Sequence, residues 1–296
     1  MGGTKINFFV VQDNQSHSKF SIPTTTPDDF KKHVVEDFKG KLIDQIILGC
    51  FGPLSLSKNN YGEILNTPKK NWRNINIYKW LKDNICDDVI LFSDVALPAL
   101  GAMKKYRLQG KFFTYITVGT GIGGCNIFKG MILQNEFHPE MGHMYLGDSD
   151  AKICEYHSHC FENQSSGNYF FSRYNVKFKD IDTSSSEWSE MIGKLSILIY
   201  NLYSTMGIEY IVLGGGLIRE DMKSQLLTYL KEYNNSYLPI LNERDFDQRL
   251  ILHSNSDDLS VEGGLYWLMM KILHDIFLTY LNLLIFIIEG KDLKND

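Results

Sequence analysis

Two α/β halves, each opening with a glycine turn that leads into a β-hairpin, are the architecture the sequence predicts. Three observations carry this prediction. Short apolar strands alternate with amphipathic helices; glycine turns at residues 2–5 and 119–124 each run into a strand; and the pattern of the first half returns in the second with no low-complexity linker between them. The halves read as residues 1–110 and 111–261, with a helix over 262–296 returning to pack on the first.

In order along the chain, "GGTK" is a glycine turn that runs straight into β-branched and aromatic residues, a strand over 6–11. "HSKFSIPTTTP" gives a second short strand ending in a polar loop. In "TPDDFKKHVVEDFKGKL", Thr26 can cap a helix, Pro27 fits its first turn, and Asp28 and Asp29 suit the positive end of its dipole. "DQIILGCFGPLSL" is a buried strand entering a Gly-Pro turn. "VILFSD" is a further strand, and "ALPALGAMKKYRLQG" a helix closed by Gly110. In the second half "FFTYITV", "CNIF" and "MILQ" are strands, joined by the "GTGIGG" turn and a tight "KG" turn. Apolar residues at 188, 191, 192, 195, 198, 199 and 202 form a helical stripe that stops at Gly207, after a surface loop and cap in "DIDTSSSEWSE". "IEYIVLGGGLIRED" then reads as strand, glycine turn and helix start.

The 296 residues are 44% hydrophobic and 22% charged, an ordinary globular balance, and a net charge of −5 leaves no basic footprint for nucleic acid. Five cysteines is an odd count. Cys50, Cys86 and Cys125 are isolated, and with no cationic-then-apolar leader they suggest a reducing, cytoplasmic compartment rather than a disulfide framework. "IFLTYLNLLIFII" at 276–288 is almost wholly apolar. It is flanked by Asp275 and Glu289 and is shorter than the roughly 18–20 residues that a membrane span needs. It reads as a buried helix, with a membrane anchor or an aberrant tail as alternatives, so no membrane partner is expected.

"GTGIGG" sets Gly119, Gly121 and Gly124 in a literal G-x-G-x-x-G. Dinucleotide binding would require a helix straight after it, whereas residues 125–128 read as a strand, so that reading fails on context. What remains is a glycine loop between strands. Its bare N–H groups at Gly119, Thr120, Gly121 and Gly123 could approach phosphate oxygens, with the Thr120 hydroxyl as a further donor. Gly2, Gly3, Thr4 and Lys5 offer the same chemistry, and Gly214, Gly215 and Gly216 would let a base or ribose lie against backbone at a helix start. Each turn alone reads equally as plain hairpin geometry. Two such hairpins facing one cleft are how a kinase could clamp ATP between domains.

Residues 138–160, "HPEMGHMYLGDSDAKICEYHSHC", hold four of the eight histidines. Within them Cys154, His157 and Cys160 form C-x-x-H-x-x-C, a spacing that suits Zn2+ as well as a polar surface loop. His143 offers a fourth ligand. Such a Cys2His2 shell would leave no position for water, which argues for a structural metal. His138 and His159 are spare, expected to be exposed or to sit behind the ligands.

"GGTK", "LGCFGPLSL", "SDVALPALGA", "TVGTGIGG", "HPEMGHM", "CEYHSHCFE", "SSG" and "IVLGGGLI", in that order, resemble the ROK family of sugar kinases and repressors, within the actin/hexokinase/Hsp70-like superfamily. "IPTTTP", "NTPKKNW", "HPEMGH" and the C-x-x-H-x-x-C spacing are more similar to its bacterial-type fructokinases than to its glucokinases. The resemblance implies a two-domain actin/hexokinase-like (ribonuclease H-like) fold with an interdomain cleft. It also implies ATP and Mg2+, a hexose acceptor such as fructose, a homodimer, and Asp94 as general base. From its position, Asp94 ends an apolar strand at a carboxyl edge, where ligands bind in α/β folds, or else caps the next helix. The same resemblance makes Glu140, His143 and Glu162 sugar-hydroxyl ligands, although Glu140 and Glu162 alone read as solvated acids. His143 would then hold zinc with one nitrogen and point the other at sugar, so that metal removal lowers sugar affinity.

Three departures from the family pattern stand out. No counterpart of the family's opening strand and acidic residue precedes "GGTK", which is expected to leave a strand edge unpaired. Ala96 replaces an asparagine, and Cys125 replaces a glycine, which is expected to put a side chain beside the phosphate loop. A non-catalytic sugar sensor or pseudokinase is therefore the alternative to a hexose kinase. The repressor branch needs a helix-turn-helix ahead of "GGTK", and DNA binding is not expected.

Overall fold

The computed structural model describes residues 1–12 and 15–292, with side chains described through residue 277 apart from 12–17 and 179. In the first half, β1 (Lys5–Gln12) and β2 (Gln15–Pro23) pair antiparallel, with Lys5 opposite Pro23. Thr26 caps α1 (Pro27–Phe38), its hydroxyl accepting the Asp29 N–H at 3.1 Å, and Phe30 and Val34 are buried beneath the helix. There follow β3 (Ile46–Cys50), a short hairpin of β4 (Glu63–Ile64) and β5 (Ile75–Asn76), then α2 (Ile77–Asn84) and β6 (Val89–Ser93), which lies parallel to β3. α3 (Ala96–Lys105) stops short of Gly110. Arg107 takes the left-handed turn at φ +57°, and the Leu108 N–H closes on the Met103 carbonyl at 2.9 Å, so the helix end is satisfied before the glycine is reached.

Among the described residues β1 pairs only with β2, and β3 only with β6. With the β4–β5 hairpin, the first half therefore holds three separate two-stranded sheets, and among the described residues the edge of β1 away from β2 has no strand partner.

The second half centres on one five-stranded sheet. It contains β7 (Phe112–Val118), β8 (Ile122–Phe128) and β9 (Met131–Ile132), the last two joined by Lys129 and Gly130, both at positive φ as a two-residue hairpin turn requires. After α4 (Phe161–Ser165), α5 (Gly167–Tyr174) and α6 (Ser186–Met206), β10 (Tyr210–Gly214) enters parallel to β7. Then come α7 (Met222–Asn234) and β11 (Leu250–His253), giving the order β11-β10-β7-β8-β9. Ser185 caps α6 on the Trp188 N–H, and Gly207 ends it at φ +63°. All seven residues of its predicted stripe are buried, each fully buried large side chain adding roughly 1.5–3 kcal/mol. The helix expected directly after "GGG" starts six residues later. Gly215 at φ +100° and the Ile218 N–H bond to its carbonyl bend the chain first, so these glycines are not a helix N-terminus.

α8 (Ser256–Asp292) starts six residues earlier than expected and crosses α3 backbone to backbone. A Cβ at Gly101 would lie 1.9 Å from the Leu259 carbonyl oxygen, and one at Gly263 1.9 Å from that of Leu97. Trp267 packs edge-on against Phe92, Lys271 pairs with Asp88 at 2.7 Å, and Asp257 accepts from Lys5, Asn7 and Lys19. The chain thus returns to the first half. Most of the apolar stretch at 276–288 has side chains outside the described residues; among the described residues no helix is long and apolar enough to cross a membrane.

Candidate active site and metal centre

A cavity of about 1870 Å³ opens between the halves. It brings together Gly2, Gly3 and Thr4 with Gly119 and Thr120, Gly215 and Gly216, and Asp94. The Thr4 and Thr120 hydroxyl oxygens stand 3.1 Å apart, joining the two glycine turns across the cleft. β8 follows the 119–121 turn antiparallel to β7, so a strand does occupy the place where a dinucleotide fold needs a helix. Instead α5 starts against the turn, its Gly167 N–H bonded to the Gly119 carbonyl at 2.8 Å. Lys5, although in the cavity wall, lies on Asp257 at 3.0 Å. Four glycines of the set face packed neighbours: a Cβ at Gly214 would meet the Tyr115 hydroxyl, one at Gly215 the Val118 carbonyl, one at Gly123 the Val95 methyl and one at Gly121 the Glu162 carboxylate.

Asp94 leaves the end of β6 and does not cap α3, whose N-cap is Val95 without a side-chain bond. That frees the carboxylate. Burial pushes its pKa up, Glu140 pushes the same way, and the Met1 ammonium and His138 oppose them. His138, expected as a spare, is only 7% exposed and sits 3.1 Å from Glu140 through Nε2. Its Nδ1 is buried without a partner among the described residues. Gly52 makes this pair possible, because a Cβ there would lie 2.4 Å from the imidazole and 3.0 Å from the Glu140 carboxylate. The signal was legible in "FGP" and "HPE", but which chain segments face each other is a tertiary fact. Ala96 is wholly buried at the start of α3. Cys125 also points inward: it is 3% exposed and packs with Tyr115 and Met103 in the core, because its alternation along β8 turns it away from the cleft.

Glu140 leads into a single helical turn, Met141–His143, and the His143 N–H bonds back to the Glu140 carbonyl at 3.0 Å. Met141 seats over Gly124, where no Cβ would fit. Glu162 lies in the first turn of α4, and its Oε2 accepts the Ile122 N–H at 2.9 Å. A Cβ at Gly121 would come within 2.4 Å of that oxygen. Burial raises the Glu162 pKa and Glu140 adds to it, while the Ile122 N–H and His143 oppose. Glu140 therefore bears electrostatically on both Asp94 and Glu162, and the three carboxylates belong to one field.

The donor atoms of His143, Cys154, His157 and Cys160 all lie within 4.8 Å of one another. The two Nδ1 atoms are 3.3 Å apart, and Cys154 Sγ is 3.7 Å from His143 Nδ1 and 3.6 Å from His157 Nδ1. Tetrahedral zinc with bonds of ~2.3 Å to sulfur and ~2.0–2.1 Å to nitrogen gives edges of about this length, so the residues fit that ion. His143 directs Nδ1 into the cluster, leaving Nε2 for the other side of the ring. Sequence reasoning missed Asn163. Fully buried, it donates to the Ala151 and Ser158 carbonyls at 3.0 and 2.7 Å. Its Oδ1 accepts the N–H groups of Ile153 and Cys154 at 2.8 and 2.9 Å. All four bonding positions of one carboxamide thus hold the loop that carries the candidate metal ligands.

Residues 1–271 match the ROK family. The chain belongs to the ROK family. It is 31% identical over 245 residues to a fructokinase of Lactococcus lactis subsp. cremoris, covering 78% of this chain and 84% of that one. It is 29% identical over 273 residues to a fructokinase of Pediococcus pentosaceus, covering 89% and 94%. Among solved ROK structures, the hexokinase from Thermus thermophilus superposes with a TM-score of 0.66 at 21% identity, covering 92% of this chain and 97% of that one. A ROK glucokinase from Streptomyces griseus, in complex with glucose and AMPPNP, gives 0.65 at 19% identity, covering 89% and 96%. The expected actin/hexokinase-like ROK fold is therefore the fold found.

Proposed function

We propose that this chain is an ATP-dependent hexose kinase that phosphorylates fructose to fructose 6-phosphate, with residues 1–110 and 111–261 as the two domains closing over the substrates. One observation carries the reading: Asp94, an uncapped carboxylate, shares a cavity with three glycine turns drawn from both halves. Fructokinase is also the name borne by the relatives at about 30% identity.

In this reading the backbone N–H groups of Gly3, Thr4, Thr120 and Gly121 cradle the triphosphate, while those of Gly2 and Gly119 hold the turns in shape by donating to the Lys5 and Gly121 carbonyls, and Gly215 and Gly216 face the nucleoside. Glu140, Glu162 and His143 accept and donate hydrogen bonds to the sugar hydroxyls, which fixes the acceptor oxygen near Asp94. As that oxygen bonds to the γ-phosphorus, its proton passes to the Asp94 carboxylate, and the bond to the bridging oxygen breaks with its electron pair leaving on ADP. Such general-base help is typically worth ~10²–10⁴-fold. Mg2+ entering with the nucleotide would neutralise the phosphate charge. Zinc at the four-donor cluster would have a structural role and hold the His143 ring.

A coupled assay with MgATP and fructose, glucose, mannose or N-acetylmannosamine tests the reading, fructose giving the highest kcat/KM. Asp94→Asn should abolish turnover while sugar still binds. The separate two-stranded sheets of the first half favour one alternative, a sugar sensor. Sugar binding with no turnover of any of the four would establish it.

A further inference from the structure

The metal loop is gripped from the opposite half of the molecule. Between the ligands Cys154 and His157 lie Glu155 and Tyr156, and both meet Arg73. One guanidinium nitrogen of Arg73 donates to Glu155 Oε2 at 2.9 Å and to the Tyr156 hydroxyl at 2.8 Å. Its Nε donates to the Thr67 carbonyl at 2.6 Å, and the guanidinium carbon stands 5.9 Å from the centre of the Tyr156 ring. Lys70 adds a second cation 3.6 Å from the other Glu155 oxygen.

The platform beneath Arg73 is rigid. The preceding Trp72 is 1% exposed and its indole N–H bonds the Thr25 carbonyl at 3.0 Å. The following Asn74 turns at φ +61° with its N–H on the Ile64 carbonyl at 2.8 Å. An isolated surface ion pair contributes little. Here one planar guanidinium is held through Nε by the Thr67 carbonyl and, through one terminal nitrogen, takes two consecutive residues that lie between two of the candidate metal ligands. The span that must be ordered to close the metal shell is the same span that Arg73 orders.

We propose that Arg73 is a positioning residue that latches the metal loop to the first half, so that metal retention and closure of the cleft are coupled. Linkage makes the coupling reciprocal: whatever the latch adds to metal binding, metal adds to the latched, closed arrangement. A ligand of the cleft reports on the same equilibrium, since His143 serves the metal cluster and stands beside Glu162. This last step, and it alone, rests on the sugar-kinase reading.

The test is zinc release from the loaded full-length protein into excess chromogenic chelator. Arg73→Ala and Glu155→Gln should each speed release roughly three- to tenfold, with the double variant little faster than either single one. Arg73→Lys, which keeps charge but not the fork, should recover only part. Release from Arg73→Ala at the wild-type rate would overturn the latch. Saturating fructose should slow release from wild type but not from Arg73→Ala, whose KM for fructose rises while kcat stays within about twofold. If fructose binds by calorimetry yet leaves wild-type release unchanged, the coupling is wrong and the kinase reading stands. If fructose does not bind, the kinase reading fails, and the release rates without sugar still decide the latch.

Discussion

Substituting Gly121 by alanine should damage sugar recognition far more than folding. The new Cβ would sit 2.4 Å from Glu162 Oε2, well inside contact distance. Backbone cannot give way cheaply there, since Gly119 and Gly121 close the turn through a 2.9 Å bond. The Glu162 carboxylate is the end of a rotatable side chain, so it is the group that moves, abandoning the Ile122 N–H it accepts at 2.9 Å. Cleft water can take over part of that bond, and the stability loss should stay near ~1 kcal/mol. With Glu162 as the sugar ligand proposed above, the displaced carboxylate would lose a charge-assisted bond to a sugar hydroxyl, worth about 1.5–3 kcal/mol. At 1.4 kcal/mol per decade this raises the sugar KM roughly 10- to 150-fold. The methyl group points at Glu162 rather than at the cleft, so the ATP KM should stay within about threefold. Steady-state kinetics in both substrates and a chemical melt measure the three quantities. A sugar KM within twofold of wild type, or an ATP KM that rises more than the sugar KM, would refute this account of the turn.

Three further outcomes follow from the same geometry. The Asp94 pKa is raised, so the acid limb of kcat/KM should lie above the usual carboxylate range. For a carboxylate raised in the folded state, stability is lost as pH rises from its unfolded to its folded pKa. Asp94→Asn should therefore raise Tm at neutral pH, and an unchanged or lower Tm would contradict a buried, costly charge. Stripping zinc should raise the sugar KM by freeing the His143 ring; a metal-free protein with wild-type KM breaks the link between metal and sugar. Asn163→Asp keeps both accepted N–H bonds but sets a carboxylate oxygen against the Ala151 and Ser158 carbonyls. A loss of about 2–5 kcal/mol, or sub-stoichiometric zinc, is expected by denaturation and metal analysis, and full metal content at wild-type stability would remove Asn163 from the loop's support.

Local signals translated faithfully where the physics is local. Thr26, Ser185 and Gly207 bound their helices as their side chains or lack of one dictate, and the α6 stripe is buried at every expected position. The C-x-x-H-x-x-C ligands and His143 meet because three of them lie in one short loop. Prediction slipped where a nonlocal bond competed with a local cue. α3 ended on Arg107 and Leu108 before its glycine, and α8 began early, its first turn reaching back to the β1 lysine through Asp257. Cys125 departs from expectation for a similar reason, its surroundings being the core under β8; of the two places expected for His138, exposed or behind the ligands, the contacts around Gly52 give the buried one beside Glu140.

The sequence by itself determined the family, the alternation of strands and helices, the candidate metal ligands and the candidacy of Asp94, since these depend on residue type and short spacing. Only the tertiary structure decided what the glycines of "GTGIGG" do. Gly119 faces the shared cavity, whereas Gly121, Gly123 and Gly124 clear space for Glu162, Val95 and Met141. It also decided that Asn163 and Arg73 bond to the loop of candidate metal ligands from different parts of the chain. The physical reason is that a missing side chain or a spare polar group has no meaning until the atoms that fill its place, or bond to it, arrive from elsewhere in the chain.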